Sequence, residues 1–236
     1  MIKLFTKLEV GMNILKNNKN IIVLCDFDGT ITTEDTNVKL FNKIGDKDII
    51  QKYREKYYNG EIDIRTLSNN QFDSVKLSKE SYLDFILNEI KLQRGFKLFY
   101  TNLNKYKIPF VIVSGGYETG IRPFLNKHGF NDIPIYANKL IFNGDSVTAQ
   151  YYDEEHFPDL IRKDCYKDFK VEIVKKYRKK YDRIIFIGDG STDINIADKV
   201  DYLFAKDYLR DYCIKNNIDH IDWEDFNDVN KWIFRY

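Results

Sequence analysis

The sequence predicts an α/β fold: a Rossmann-like, doubly wound parallel sheet with a helical cap inserted after the first strand. Three short apolar runs rich in β-branched residues, at 21–25, 108–113 and 183–187, are typical of strands buried on both faces of a parallel sheet. Between the first two runs, residues 37–90 contain no proline and space their apolar residues as helices do. Because a crossover between parallel strands needs only about a dozen residues, we interpret this stretch as an insertion.

The length of the chain, 236 residues, suits a core with a smaller inserted domain. We expect a core domain of residues 1–36 and 93–236 and a helical cap domain of residues 37–92. Residues 1–20 show no clear pattern of their own and are assigned to the core only by their position before the first strand.

The cap is predicted to contain several short helices. Apolar residues at helical spacing stop at Gly45, and Asp46 is a typical N-cap for the helix that follows. That second helix is expected to end near Gly60, and Ser78 opens a further one.

The remaining elements follow the alternation expected of the core. A helix beginning at Phe96 leads into the second strand, and another is predicted over 118–128. Residues 133–152 alternate like strands, with a hairpin turn at Asn143-Gly144-Asp145. A basic amphipathic helix over 169–180 precedes the third buried strand, and a short strand at 201–205 comes before two C-terminal helices.

Composition excludes several classes of partner. Lys and Arg number 37 against 36 Asp and Glu, so a net charge of +1 gives no basic excess for binding nucleic acid. No apolar run approaches the roughly 18 residues that span a membrane, and residues 1–20 lack the apolar core of a signal peptide. The odd, widely separated Cys25, Cys165 and Cys213 fit a reducing compartment. We expect a cytoplasmic protein with no nucleic-acid or membrane partner, and no feature points to a particular oligomeric state.

Carboxylates follow two of the three buried strands. Asp26 and Asp28 are two residues apart after the first strand, so on an extended backbone they point the same way. Asp189 and Asp193 follow the third strand. Four carboxylates at one sheet edge would repel by about 1–4 kcal/mol per pair at 4 Å, which calls for a compensating cation. Oxygen ligands of this kind suit Mg²⁺, which also binds water and substrate phosphate.

The same strand ends offer groups that bind anions. Ser114, Gly115 and Gly116 follow the second strand, and Gly29 lies in the turn after the first. Backbone amides in glycine-rich turns and at helix N-termini form a positively polarised nest for phosphate. Carboxylates, a cation and such amides together indicate phosphoryl transfer, in which one aspartate attacks phosphorus and another protonates the departing alkoxide.

Three segments resemble motifs I, II and IV of the haloacid dehalogenase (HAD) superfamily of phosphatases: Asp26-Phe27-Asp28-Gly29-Thr30, Ser114 after its strand, and Gly188-Asp189-Gly190-Ser191-Thr192-Asp193. The helical insertion is similar to the cap of the phosphoserine phosphatase-like branch. Segments 95–116, 170–193 and 203–220 are most similar to the 2-hydroxy-3-keto-5-methylthiopentenyl-1-phosphate phosphatases of methionine salvage. The resemblance covers nearly all of the chain after residue 20.

The resemblance implies a role for each acidic residue. Asp26 would be the nucleophile and Asp28 the general acid and base. Mg²⁺ would be held by the Asp26 carboxylate, the Asp28 backbone carbonyl and Asp189, while Asp193 would orient the water shell of the metal.

It also implies the groups that hold the phosphate. Ser114 and the amides around Gly29, Gly115 and Gly116 would bind the phosphoryl oxygens. A motif III lysine would neutralise charge on the nucleophile and the phosphate; Lys170 has the expected spacing to the third strand, and Lys167 is the alternative.

Three residues bear on specificity, one just before the cap and two within it. Asp35 falls where phosphoserine phosphatases have a glutamate for the substrate amine, and Asn69 falls where they have an arginine for its carboxylate. Losing a bidentate carboxylate clamp argues against phosphoserine, although Arg65, one helical turn earlier, could replace it.

The sequence therefore predicts a Mg²⁺-dependent phosphatase that acts on a small phosphorylated metabolite through an aspartyl-phosphate intermediate. The leading candidate substrate is 2-hydroxy-3-keto-5-methylthiopentenyl-1-phosphate. Phosphoserine or another small phosphomonoester is the alternative on the same machinery. A non-catalytic HAD-fold binding or regulatory protein is the alternative from a different class.

Overall fold

The computed structural model describes residues 20–157 and 169–234 and divides into two compact units. Among these residues, the first unit holds 20–33, 92–113 and 169–234, and the second holds 34–91 and 114–157. The contacts thus group 34–91 with a later part of the chain, and the predicted cap of residues 37–92 stays a prediction. Expectations for residues 1–19 and for Lys167 lie outside the described residues.

Among the described elements, five helices lie between the first and second strands, and strands and helices are interspersed after that. The strands are β1 Ile21–Cys25, β2 Phe110–Tyr117, β3 Ile135–Asn143, β4 Ser146–Gln150, β5 Arg183–Gly188, β6 Tyr202–Ala205 and β7 Ile221–Asp222. The helices are α1 Thr36–Ile44, α2 Lys47–Tyr58, α3 Ile64–Asp73, α4 Lys79–Glu89, α5 Phe96–Lys105, α6 Glu118–Lys127, α7 Tyr152–His156, α8 Phe169–Arg178, α9 Asp207–Lys215 and α10 Phe226–Phe234. A 3-10 helix covers Ser191–Ile196.

The first unit is built on parallel strands in the order β2-β1-β5-β6-β7. The chain passes from β1 to β2 on one side and later returns to β5 on the other. Cys25 at the end of β1 pairs with Ile112 of β2 and with Ile187 of β5. This reversal of direction beside β1 is the topological switch of a doubly wound sheet, beyond which ligands bind in open α/β folds. The predicted α/β class is confirmed.

Strand β2 differs from the prediction at its carboxyl end. The apolar pattern placed the end at Val113, whereas the strand continues through Ser114, Gly115 and Gly116 to Tyr117. Serine and glycine disfavour strands in isolation, but pairing decides the outcome in a sheet. Asn138 on β3 donates a hydrogen bond from Nδ2 to the Gly115 carbonyl at 2.7 Å, so a tertiary contact supports the glycine pair as extended chain.

Aromatic side chains form much of the core of the first unit. Phe226 of α10 meets Phe96 and Phe99 of α5, with ring centroids 5.0 and 5.1 Å apart. Beside them the buried Asn102 donates from Nδ2 to Asn230 Oδ1 at 2.8 Å, which satisfies two polar groups that burial would otherwise penalise. Helices α5 and α10 are therefore held together by ring packing and one buried polar pair.

The first four helices of the second unit, α1 to α4, begin at side-chain caps. Asp35, Asp46, Asp63 and Ser78 each accept a hydrogen bond from a backbone amide in the first turn of the helix that follows. Such caps satisfy amides that have no partner within the helix. The predicted caps at Asp46 and Ser78 are confirmed.

Packing in the second unit centres on Phe72 of α3. Its ring contacts Phe41 of α1 and Tyr117 at the end of β2, with centroids 4.9 and 5.5 Å apart. Strands β3 and β4 form the predicted antiparallel hairpin, and Gly144 in its turn has a φ of +59°.

Across residues 20–157 and 169–234, no helix combines the length and the apolar character that crossing a lipid bilayer requires.

Asp201 lies directly before β6, and residues of α8 and β5 bind its carboxylate. Its carboxylate accepts hydrogen bonds from the Ile184 amide at 2.9 Å, from Arg183 at 2.6 Å and from Arg178. Burial alone would raise the pKa of Asp201, but these bonds outweigh it and lower the pKa. A depressed pKa contributes stability that is present above the unfolded value of about 3.9 and is lost as the pH falls through the folded value.

We therefore expect Asp201→Asn to lower the free energy of unfolding at pH 7 by about 1–3 kcal/mol, the range for hydrogen bonds to charged groups. Urea denaturation at pH 7 and near pH 3 measures the effect. The difference from the parent protein should shrink at the lower pH. A difference that is equal at both pH values would contradict this assignment.

Candidate active site

Pairing between β1 and β5 places two carboxylates side by side. The Asp26 amide donates to the Ile187 carbonyl at 2.9 Å, which extends the ladder by one residue beyond β1. Asp189 follows the last residue of β5 directly. Asp26, Asp189 and Asp193 each offer a carboxylate oxygen, and these oxygens all lie within 4.8 Å of one another. The structure thus brings together three of the four predicted acidic residues in one group.

The turn after Asp26 requires glycine at one position. Gly29 has a φ of +71°, and a Cβ built there would overlap Asp189 Oδ2. The Thr30 hydroxyl donates to Asp189 Oδ1 at 2.5 Å, so the turn also fixes the orientation of that carboxylate. The Gly29 amide donates to Thr32 Oγ1 at 3.1 Å. Its binding of phosphate stays a prediction. Asp28 is half-buried in the same turn.

Lys170 of α8 supplies the buried positive charge of the site. Its ammonium is fully buried and lies 2.6 Å from Asp193 Oδ1 and 3.3 Å from Asp26 Oδ1. It also donates to Thr192 Oγ1 at 3.0 Å. A buried ammonium is tolerated only where negative or polar partners surround it. Lys170, the preferred lysine for motif III, lies against Asp26, and its role there stays a prediction.

Asp193 links the lysine to the backbone of the loop. Its Oδ2 accepts hydrogen bonds from the amides of Asp189 and Gly190, both at 3.2 Å, while its Oδ1 binds Lys170. Both oxygens of this carboxylate are therefore in use within the chain. Asp193 adds negative charge beside Asp26 and holds the loop that carries Asp189; its predicted effect on the water shell of a metal stays a prediction.

The charges around Asp26 do not balance. Burial raises the pKa of Asp26 well above its usual value, and the neighbouring charges of Asp193, Asp189 and Asp28 act in the same direction, while Lys170 opposes them. Asp26 Oδ1 is buried and receives no hydrogen bond from the described residues. The same surroundings raise the pKa of the buried Cys25 thiol, chiefly through burial. The site therefore favours an added cation.

The donor set fits Mg²⁺. The Asp26 and Asp189 carboxylates offer hard oxygen ligands, which Mg²⁺ prefers, and this ion keeps several waters rather than requiring a full protein cage. The orphaned oxygen of Asp26 is the kind of buried acceptor that an ion would satisfy.

The residues predicted around motif II lie on β2. Ser114 is fully buried, and its Oγ accepts a hydrogen bond from the Gly116 amide at 3.0 Å. It stands two residues after Ile112, the partner of Cys25 in the sheet. The predicted binding of phosphate by Ser114, Gly115 and Gly116 stays a prediction.

The three predicted specificity residues belong to the second unit. Asp35 is the N-cap of α1 and accepts from the Val38 amide at 2.8 Å. Arg65 pairs with Asp153 and with Glu154 Oε1, the latter at 2.8 Å. The Arg65 guanidinium therefore already binds two carboxylates of its own chain.

Tyr151 connects two of these positions. The Arg65 guanidinium lies 4.5 Å from the centre of the Tyr151 ring, and the Tyr151 hydroxyl donates to Asn69 Oδ1 at 3.0 Å. Burial raises the pKa of Tyr151 to about 12, so its hydroxyl remains a donor at neutral pH. A cavity of about 270 Å³ beside this cluster is lined by Asn69, Tyr151 and Glu154 among others.

Sequence reasoning missed two threonines of the site. Thr30 and Thr192 contact Asp189 and Lys170 respectively. Both threonines lie inside the two sequence motifs that carry the predicted aspartates. A hydroxyl residue within such a motif was the sequence signal that could have identified them as site residues.

Comparison with known proteins identifies the family to which the chain belongs. The model of the haloacid dehalogenase-like hydrolase family matches residues 23–198, most of the 236-residue chain. The chain belongs to this family.

Two relatives are similar over most of their length. A protein of Exiguobacterium sibiricum named 2-hydroxy-3-keto-5-methylthiopentenyl-1-phosphate phosphatase is 28% identical over 210 residues, which cover 89% of this chain and 94% of that protein. A protein of Bacillus pumilus with the same name is 30% identical over 215 residues, which cover 89% of this chain and 90% of that protein.

Solved structures of phosphoserine phosphatase share the fold. A structure of its phospho-aspartyl intermediate analogue aligns with a TM-score of 0.70 at 19% identity and covers 91% of this chain and 99% of that chain. A substrate-bound complex of phosphoserine phosphatase gives a TM-score of 0.70 at 19% identity, over 92% of this chain and 99% of that chain.

Gly29 can be tested against a glycine with matching backbone strain. In Gly29→Ala the new methyl group meets Asp189 Oδ2, so we expect the carboxylate to move and activity to fall by about 100-fold or more, as displaced catalytic groups do. Phosphatase assays on Gly29→Ala and on the control variant Gly60→Ala measure the effect.

Gly60→Ala is the control, because Gly60 has a φ of +74° and nothing within 4 Å of the added Cβ. Both variants should lose about 1–2 kcal/mol of stability to left-handed backbone strain. Only Gly29→Ala should lose activity. Equal activity in the two variants would contradict the close approach of Gly29 to Asp189.

Proposed function

We propose that this phosphoric monoester hydrolase uses Mg²⁺ and an aspartyl-phosphate intermediate to hydrolyse a small phosphorylated metabolite. The observation that carries the proposal is the buried Asp26 carboxylate, which lies 3.3 Å from the Lys170 ammonium and beside the Asp189 carboxylate. A nucleophile, a fixed positive charge and free capacity for a cation occur in one place. Mg²⁺ would be held by Asp26, the Asp28 backbone carbonyl and Asp189, and when bound it supplies charge neutralisation for a dianionic phosphate.

The first step forms a bond between an Asp26 carboxylate oxygen and phosphorus. The bond between phosphorus and the oxygen of the leaving group breaks at the same time, and the electron pair goes to that oxygen. Protonated Asp28 gives its proton to the leaving oxygen, so an alcohol departs. Lys170 stabilises the negative charge that spreads over the transferring group.

The second step removes the phosphoryl group from Asp26. A water molecule attacks phosphorus and gives a proton to Asp28, now acting as a base. The bond between phosphorus and Asp26 breaks, which restores the carboxylate and releases inorganic phosphate. Asp28 ends the cycle protonated, as it began.

For the substrate we propose 2-hydroxy-3-keto-5-methylthiopentenyl-1-phosphate or a similar phosphomonoester without a carboxylate. The names of the relatives support this choice. The second unit supports it independently, because the Arg65 guanidinium is occupied by Asp153 and Glu154. Asn69, which offers no charge, is bonded to Tyr151. Phosphoserine carries a carboxylate that would need a cationic partner.

Asp26→Asn tests the nucleophile. With p-nitrophenyl phosphate and Mg²⁺ we expect turnover to fall by about 1,000-fold or more, because an amide is a poor nucleophile toward phosphorus. The exposed Asp211, on α9, gives the control variant Asp211→Asn, which should retain full activity.

Stability separates loss of the nucleophile from loss of the fold. Because the pKa of Asp26 is raised in the folded protein, its charge destabilises the fold at neutral pH. Asp26→Asn should therefore be at least as stable as the parent protein in EDTA. Turnover that survives in Asp26→Asn would overturn the mechanism, and a parent protein without Mg²⁺-dependent turnover would favour the non-catalytic binding protein.

A substrate panel tests the leaving group. We expect kcat/KM for sugar-like and keto-alcohol phosphates to exceed that for phosphoserine by about tenfold or more, since an unpaired substrate carboxylate costs more than about 1.4 kcal/mol. Initial rates of phosphate release at matched concentrations measure this. Phosphoserine as the best substrate in the panel would contradict the proposed substrate class and leave the chemistry at Asp26 intact.

A further inference from the structure

The peptide unit between Gly188 and Asp189 is held at both of its polar groups. The Asp189 amide donates a hydrogen bond to Asp193 Oδ2 at 3.2 Å. The Gly188 carbonyl accepts a hydrogen bond from Nε1 of Trp223 at 3.2 Å, and the Lys206 amide approaches the same oxygen at 3.4 Å. Because a peptide unit is planar, bonds to its N–H and to its C=O together fix its orientation. The direction of the chain as it enters Asp189 therefore depends on Asp193 and Trp223.

The chain that leaves Asp189 is held as well. The Asp189 carbonyl accepts a hydrogen bond from the Leu209 amide of α9 at 2.9 Å. The Asp189 side chain is bound by the Thr30 hydroxyl, which donates to Oδ1 at 2.5 Å. With the peptide units on both sides bonded, the direction in which the Asp189 side chain leaves the backbone is restricted. The position of the carboxylate thus depends on the backbone bonds as well as on Thr30.

Trp223 reaches this peptide unit from a distant part of the chain. It lies directly after β7, 35 positions after Gly188, and its side chain is buried. The Lys206 ammonium lies 4.4 Å from the centre of the Trp223 ring, and the Phe226 ring packs at a centroid distance of 5.4 Å. Contacts of an indole with a cation and with a second aromatic ring restrict its rotation. Packing therefore directs the Nε1 donor at the Gly188 carbonyl.

Trp232 is a second tryptophan of the first unit whose ring nitrogen is also buried. Its Nε1 has no hydrogen-bond partner within residues 20–157 and 169–234. Its ring packs against Tyr202 and Phe204, with centroids 5.5 and 5.2 Å apart. A substitution at Trp232 therefore removes the same kind of ring without removing a hydrogen bond.

We propose that Trp223 is a positioning residue that holds Asp189 where its carboxylate binds a divalent cation. This inference rests on the proposed function, which assigns Asp189 to Mg²⁺, and extends it to a residue that does not contact the ion. Without the Nε1 donor, the Gly188 carbonyl keeps only the longer contact with the Lys206 amide, so the peptide unit and the carboxylate after it are held less firmly. Partners that orient a metal ligand are typically worth about 10- to 100-fold in metal affinity.

Trp223→Phe removes the donor and keeps an aromatic ring. The free energy of unfolding in urea, measured against Mg²⁺ concentration without substrate, gives the Mg²⁺ dissociation constant of the folded protein, because an ion that binds only the folded state stabilises it. We expect the dissociation constant of Trp223→Phe to be about tenfold higher than that of the parent protein. A Trp223→Phe protein that binds Mg²⁺ as tightly as the parent would overturn the proposal.

Trp232→Phe is the matched control for the loss of ring volume. Both variants should be less stable than the parent without Mg²⁺, because each leaves space in the packing. Only Trp223→Phe should bind Mg²⁺ more weakly, and only Trp223→Phe should need more Mg²⁺ for half-maximal turnover of p-nitrophenyl phosphate. An equal rise of the dissociation constant in Trp232→Phe would show a general loosening of the fold and would refute the positioning role.

Asp189→Asn separates this inference from the proposed function. The stabilisation by Mg²⁺ should be lost in Asp189→Asn, and Trp223→Phe should lie between that variant and the parent. If Mg²⁺ stabilises the parent but not Asp189→Asn, and Trp223→Phe matches the parent, the inference fails and the proposed function stands. A parent protein that gains no stability from Mg²⁺, or a gain that survives in Asp189→Asn, would overturn the proposed metal site and this inference with it.

Discussion

Strands β1 and β5 pair in register from Ile21 opposite Arg183 to Cys25 opposite Ile187, and the charged groups of the first unit depend on that pairing. The carboxylates leave the sheet immediately after the last paired residues, so a shift of one residue would point Asp26 or Asp189 to the other face. The buried β-branched residues of both strands make such a shift costly, because they fill the two faces of the sheet. The packing of the hydrophobic core therefore determines where the Asp26 and Asp189 carboxylates lie.

The register concentrates negative charge around the buried Lys170. One carboxylate oxygen from each of Asp26, Asp189 and Asp193 lies within 4.8 Å of the other two. The Lys170 ammonium contacts Asp26 and Asp193. Hydrogen bonds to threonine hydroxyls and loop amides satisfy most of these groups, while Asp26 Oδ1 keeps its capacity to bind. A site of this kind is costly in the free protein and gains from a bound cation, which together with Lys170 can attract a negatively charged phosphate. That balance is what phosphoryl transfer requires.

Local patterns in the sequence were enough to predict the scaffold and the acidic groups. The β-branched runs identified β1 and β5, the caps at Asp46 and Ser78 marked helix starts, and the paired aspartates lay at a strand end as expected. The end of β2 was missed because Ser114-Gly115-Gly116 lacks strand propensity, and tertiary pairing decided it. The engagement of Arg65 by Asp153 was also invisible, since the two residues are 88 positions apart and no periodicity links them.

The most direct test of the central claim is the site of phosphorylation during turnover. The protein is mixed with substrate and Mg²⁺, quenched in acid within one turnover, digested with a protease active in acid and analysed by tandem mass spectrometry. A phosphoryl group on Asp26 is the predicted result, because that carboxylate is the one beside Lys170 and Asp189. A phosphoryl group on a different residue, or rapid turnover with none trapped on the protein at any quench time, would contradict it.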